Sequence, residues 1–167
     1  GSHALSPDWS ALYAVDYARQ SEHGANPASF DLDHGLVSAG LKHGPLTGTL
    51  AMEQLDGNGA QAFQTPLATL HAFQGWADVF LNTPRDGLRD VSATVNYAIA
   101  HPPIGRSATL GASWRDIHDA DGANRYGREL DLTGRLVLDP RRAIEFKAAR
   151  FDGAQPAFPD RTKVWVA

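Results

Sequence analysis

From Val91 to Val166 the sequence repeats one pattern, in which apolar and polar residues alternate along a segment before a turn intervenes. The clearest example is the segment 129–138, whose apolar positions are Leu130, Leu132, Leu136 and Leu138 and whose polar positions are Glu129, Asp131, Thr133 and Arg135. A period of two predicts a strand with one apolar and one polar face. Because the polar face is charged and the strand is long, the pattern favours a barrel wall with lipid outside and water inside over a soluble sandwich.

Eight segments carry this alternation, and each is predicted to be a strand: 10–19, about 30–41, 46–54, 88–99, 107–115, 129–138, 144–149 and 164–166. The predicted connections are alternately long and short: 20–29, 43–45, 55–87, 101–105, 116–126, 139–141 and 152–160. Short turns at one end and longer loops at the other are typical of outer-membrane barrels. The predicted fold class is therefore all-β, an antiparallel up-and-down transmembrane β-barrel of about eight strands.

The period changes within the longest connection. From Leu70 to Leu81 the apolar residues recur at intervals of three and four, and Pro66 and Pro84 bracket the segment. This spacing predicts a short amphipathic helix in the long loop. Two roles stay open: the helix folds into the barrel as a constriction or plug, or it lies on the barrel mouth as a lid. The residues that would form a plug are Phe73, Trp76 and Phe80.

Composition excludes several functions. The net charge is -4 with both signs interspersed, which predicts no nucleic-acid partner. The chain contains no Cys, so disulfides and thiolate metal sites are excluded. The seven His are scattered and no catalytic, phosphate-binding or metal-binding motif occurs. We therefore predict that the chain is not an enzyme and that it has no catalytic residue, no metal and no cofactor.

The first three residues, Gly1-Ser2-His3, have the composition of a remnant left by cleavage of an expression tag. They are left out of the fold prediction, and residues 4–167 are predicted to form a single domain. No signal peptide is present, so an exported protein would have lost its leader.

Two segments resemble a known family. Residues 65–81, which read TPLATLHAFQGWADVFL, and their continuation through 83–90 are similar to the C-terminal part of the alginate-export family of bacterial outer-membrane porins. The final segment, Asp160 to Ala167, resembles the terminal strand of the same family. The resemblance covers most of the chain, and the first segment carries its specificity, because alternating strands look alike in many proteins.

The resemblance implies a large barrel in the bacterial outer membrane that conducts an anionic polysaccharide or related solutes, with lipid or detergent around it. Members of the family are longer, have more strands and end on an aromatic residue, whereas this chain ends on Ala167. We therefore expect the chain to be a fragment of a larger barrel. Whether it closes alone or self-associates with a second copy is left open.

The charged residues predicted to face the barrel interior are the candidate site. They either attract a carboxylated sugar chain or pair across the interior as a structural ion-pair network. The second role is favoured, because an eight-stranded barrel is just wide enough to be filled by side chains. The alternative to a porin is therefore a small closed or engineered barrel that acts as a scaffold or a ligand-binding module. The candidate residues are Asp90, Arg115, Glu129, Asp131, Arg135, Glu145, Lys147 and Lys163.

Overall fold

A computed structural model describes residues 1–24, 27–65 and 74–167. Nine strands form one antiparallel sheet, and each strand pairs with its neighbours in sequence. The strands are β1 (Ser2–Ala4), β2 (Trp9–Ser21), β3 (Asp31–His43), β4 (Leu46–Leu55), β5 (Leu88–Ile99), β6 (Ser107–His118), β7 (Arg125–Asp139), β8 (Arg142–Gly153) and β9 (Arg161–Val166).

Strands β2 to β9 confirm the eight strands predicted from the alternation. The connection between β6 and β7 spans only 119–124, because both strands extend into the predicted loop. Arg125 Nε donates to Asp116 Oδ1 at 2.8 Å across this extension of the ladder. Since the β5–β6 connection, 100–106, is at least as long, the alternation of loop lengths is less regular than predicted.

Two of the three residues of the first strand, Ser2 and His3, lie in the segment that is left out of the fold prediction. Ser2–Ala4 pairs with β2, with His3 opposite Ala11. The edge of a sheet presents unpaired N–H and C=O groups, and these can order a neighbouring segment that has no strand pattern of its own. The sheet therefore has nine strands where eight were predicted.

The predicted helix over 70–81 is wrong for the part that the structure describes. Residues 74–81 form turns and irregular backbone, with left-handed φ angles of 52° at Gln74 and 55° at Asp78. Residues 70–73, including Phe73, lie outside the described residues. No helix occurs in the described ranges, and so none there is long and apolar enough to cross a membrane. The backbone groups of Ala77 and Asp78 bond to strand side chains instead of to one another along a helix.

The two faces of the sheet differ in polarity and exposure. The exposed face carries large apolar side chains, and Val15 and Leu50 are 81% and 67% exposed. The opposite, covered face carries Glu129 and Asp131, each only 1% exposed. The exposed face includes Val15, Val37, Leu50, Val95, Leu110, Leu130, Leu132, Ile144, Phe146 and Val164.

The core lies between the covered face and the insert, which is the connection 56–87 between β4 and β5. Phe80 of the insert is buried against a group of rings at 5.2 to 5.8 Å between centroids. Burying a side chain of this size contributes about 1.5–3 kcal/mol. Strands β3 to β8 all contribute to this one cluster, which also includes Phe63, Ala77 and Phe80 of the insert. The rings are Tyr126, Phe151 and Phe158.

Candidate functional site: a buried charge cluster

The strand register places all eight charged candidates on the covered face. Arg115 on β6 is the direct partner of Glu129 on β7, and Arg135 on β7 is the partner of Glu145 on β8. Alternation along each strand brings the others to the same side. Their environments differ. Asp90, Glu129 and Asp131 are buried, Arg115, Glu145, Lys147 and Lys163 are half-buried, and Arg135 is exposed.

Arg115 is at the centre of the buried group. Its Nη1 donates to Asp90 on β5, and its Nε lies 3.5 Å from Asp131 Oδ2 on β7. The Arg115 side chain is 17% exposed, while those of Asp90 and Asp131 are 2% and 1% exposed. Removing one partner of a buried ion pair leaves an uncompensated charge and costs about 3–5 kcal/mol. Arg115 therefore joins three adjacent strands through contacts that are expensive to break.

A second set of contacts surrounds Glu53, which is the cross-strand partner of Asp90. His34 Nε2 is 2.9 Å from Glu53 Oε1, and Gln74 Nε2 donates to Glu53 Oε2 at 3.0 Å. These contacts bring an amide of the insert onto β4. A cavity of about 160 Å³ adjoins them, lined by Leu36, Ala51, Glu53, Gln74, Asp90, Ser92 and Arg115.

Glu129 supports the segment 74–81, which we call the strap. Glu129 Oε1 accepts a hydrogen bond from the backbone N–H of Ala77 at 2.8 Å. Gly75 lies against the same carboxylate, because a Cβ at this position would come 2.5 Å from Glu129 Oε1. Its φ of 93° is also a backbone conformation that residues with a side chain rarely adopt. The strap therefore needs glycine here to reach the carboxylate.

The other end of the strap is bound to β9. Lys163 Nζ donates to Asp78 Oδ2. Arg161 Nη1 donates to the carbonyl oxygens of Asp78 at 2.7 Å and of Ala77 at 3.4 Å. The strap thus crosses the covered face from β4, through β7, to β9.

The two described aromatic candidates of the predicted plug have different neighbours. Phe80 belongs to the core, whereas Trp76 is half-buried with Lys147 Nζ 5.4 Å from its ring centroid. Lys163 Nζ is similarly 5.8 Å from the ring of Trp165. Lysines beside aromatic rings line the part of the covered face near β8 and β9.

Sequence reasoning missed four residues that complete this arrangement: His34, Gln74, Asp78 and Arg161. The predicted helix gives no reason to expect contacts between the strands and Gln74 or Asp78, because a helix satisfies its own backbone groups. The alternation on β3 and β9 could have placed His34 and Arg161 on the covered face. Among the described residues, no group of three or more His, Asp or Glu side chains converges closely enough to hold a metal ion.

Comparisons of the chain with protein-family models, with curated proteins and with solved structures give no match. The resemblance of residues 65–90 and 160–167 to the alginate-export family therefore stays a prediction.

Proposed function

We propose that this chain acts as a bacterial outer-membrane β-barrel of porin type, along whose covered face anionic saccharides or small solutes pass. The observation that carries the proposal is the inverted polarity of the sheet. Apolar side chains such as Val15 and Leu50 are exposed, while Glu129 and Asp131 are buried. Soluble monomers rarely expose apolar patches larger than a few hundred Å². Contact of the exposed face with lipid hydrocarbon would remove the free-energy cost of exposing these apolar side chains to water.

The dimensions of the exposed face support a membrane location. Trp9 and Tyr17 lie on this face of β2, separated by eight residue steps. At about 3.4 Å per residue they are about 27 Å apart along the strand, which a barrel tilt of about 35–45° reduces to about 19–22 Å across the membrane. The apolar band of an outer-membrane barrel is about 25 Å tall and is flanked by aromatic residues. Beyond Tyr17 the exposed face becomes charged, since Arg19 pairs there with Asp31.

A location in the membrane requires that the two edges of the sheet have hydrogen-bonding partners. Hydrogen bonding between neighbouring strands satisfies most backbone groups, but β9 has a strand partner on one side only among the described residues. An unpaired strand edge is not tolerated in hydrocarbon. The outer edges of β1, of β2 beyond its pairing with β1, and of β9 must therefore pair with each other or with a second copy.

The basic part of the covered face supports the choice of anionic solutes. Lys147 and Lys163 are half-buried beside Trp rings, and Arg135 is exposed on the same face. Cations that line a pathway attract anions and set selectivity.

A closed scaffold or ligand-binding barrel is the second candidate, and the strap is the observation that favours it. The strap covers Asp90, Arg115 and Glu129, which pair with one another or with the backbone. Side chains that pair in this way can fill the interior of a narrow barrel, so that no path for solutes remains.

Planar-bilayer recording tests the porin proposal. The reconstituted protein is expected to conduct, with a reversal potential in a KCl gradient that indicates anion preference. Lys147→Gln and Arg135→Gln should each reduce that preference, whereas Arg142→Gln, at the exposed first residue of β8, should not. Insertion into vesicles without conductance would favour the closed barrel. Stable folding in buffer without detergent or lipid would contradict a membrane protein.

A further inference from the structure

The strap presents one carboxylate to a basic site on β9. Lys163 donates to Asp78 Oδ2, and Arg161 donates to the Asp78 carbonyl oxygen at 2.7 Å. Asp78 is 6% exposed, so its carboxylate has lost most of its water in this site. Two cations of one strand therefore converge on a single acidic residue from a segment 83 to 85 positions earlier in the chain.

The surroundings of this contact suit a carboxylate attached to a sugar ring. Lys163 is also beside the Trp165 ring, and Lys147 lies over Trp76. A charge-assisted bond from a lysine fixes a carboxylate, and an aromatic ring offers an apolar surface to the carbon skeleton. Asp78 offers a carboxylate to Lys163 but has no sugar ring to place against an aromatic side chain.

The strap is held in a conformation that its own sequence does not favour. Gln74 and Asp78 both have left-handed φ angles, which are uncommon outside glycine. Such conformations persist only when surrounding contacts enforce them. The enforcing contacts are those of Glu53, Glu129 and β9.

We propose that Asp78 is a tethered stand-in for a carboxylate ligand. Its carboxylate is bound by Lys163, while Arg161 holds the backbone carbonyl of the same residue, and an incoming sugar carboxylate competes with Asp78 for Lys163 and releases the strap from β9. The inference rests on the proposed function for the source of the ligand, an anionic solute on the covered face. Because Asp78 is tethered, its effective concentration is in the millimolar range or above, and the free ligand must be present at a comparable concentration.

The competition predicts opposite effects of two variants. In the detergent-solubilised full chain, titration calorimetry with sodium glucuronate should give a Kd at least about fivefold lower for Asp78→Asn than for the unmodified protein. Lys163→Gln should raise the Kd at least about fivefold. Lys42→Gln, which removes another lysine of the covered face, is the matched control and should leave the Kd unchanged. An ion pair with only a structural role would not separate the two variants in this way.

Movement of the strap supplies a second readout that keeps Asp78. The chain has no Cys, so a spin label at Leu81→Cys, an exposed strap position, reports on the strap alone. Glucuronate should increase the mobility of the label, whereas glucose and NaCl at matched ionic strength should not. Equal mobility with glucuronate and NaCl, or no gain in affinity in a folded Asp78→Asn, overturns the proposal.

Both readouts are made in detergent and do not depend on conductance. Strap release without conductance in bilayers would leave the tethered carboxylate standing and remove the porin proposal. Anion conductance together with unchanged glucuronate affinity in Asp78→Asn would support the porin proposal and overturn the tethered carboxylate.

Discussion

The carboxylate of Glu129 accepts a hydrogen bond from the backbone N–H of Ala77, 52 residues earlier in the chain. This contact places a polar group of the insert on a buried acidic side chain of β7. In the predicted helix over 70–81 this N–H would bond to the carbonyl of residue 73, so the contact with β7 takes the place of a helical hydrogen bond. Glu129 thus acts as the seat of the strap and not as a free charge lining a pathway.

Removal of this seat should destabilise the protein. In Glu129→Ala the Ala77 N–H is left buried without its acceptor, which costs about 1–3 kcal/mol. Denaturant unfolding in detergent micelles, followed by tryptophan fluorescence, measures the loss. Glu145→Ala is the control on the same face, because Glu145 is half-buried and its ion pair with Lys147 is 3.4 Å long. Equal losses in the two variants would contradict the role assigned to Glu129.

Gly75→Ala should also destabilise the strap. The added Cβ would lie 2.5 Å from Glu129 Oε1, and alanine disfavours a φ of 93°. We expect a loss of about 1–3 kcal/mol in the free energy of unfolding. Gly35→Ala on β3 is the matched control, since a Cβ there meets nothing within 4 Å. A neutral Gly75→Ala would show that the strap is not seated as described.

The aromatic core should be sensitive to truncation. Phe151 is fully buried and its ring is 5.7 Å from that of Phe80. Phe151→Ala is expected to cost about 3–5 kcal/mol, because it leaves a cavity between the sheet and the insert. Val15→Ala, at an 81% exposed position, should change the free energy of unfolding in detergent by a much smaller amount. Comparable losses would mean that the exposed face is in fact packed.

Low pH should destabilise the loop 119–124 between β6 and β7. Burial alone would raise the pKa of Asp119, but hydrogen bonds from Asn124, Ala123 and Gly122 outweigh it and lower the pKa below its ordinary value. The stabilisation is therefore present above about pH 4, the unfolded value, and is lost as the pH falls through the folded pKa.

The stability difference between the unmodified protein and Asp119→Asn should therefore narrow as the pH is lowered from about 6 to about 3. Denaturant midpoints across this range measure it, with the exposed Asp121→Asn as control. A difference that stays constant with pH would contradict the role of the Asp119 carboxylate.

Local alternation was enough to predict the strands. The period of two along 129–138 identified β7 and also the face on which Asp131 and Arg135 lie. It succeeded because the side chains of a strand report its environment position by position. The edge strand β1 could not be predicted, since its pairing depends on an unpaired neighbour and not on its own three residues.

The strap could not be predicted for a different reason. Phe73, Trp76 and Phe80 have helical spacing, but the conformation of Gln74 to Phe80 is set by contacts with Glu53, Glu129 and Lys163. These partners are distant in sequence, and no local pattern shows them. The charged candidates were placed on one face by alternation, but their division into buried and open groups depends on the strap.

The central claim is that the exposed face contacts lipid and the covered face does not. Spin labels at Leu132→Cys and Thr133→Cys test it most directly, because these neighbours on β7 point to opposite faces. In lipid vesicles, the label at 132 should be the more accessible to oxygen, which concentrates in hydrocarbon, and the label at 133 should be shielded from it. The reverse pattern, or equal access of a water-soluble nickel complex to both labels, would contradict the account.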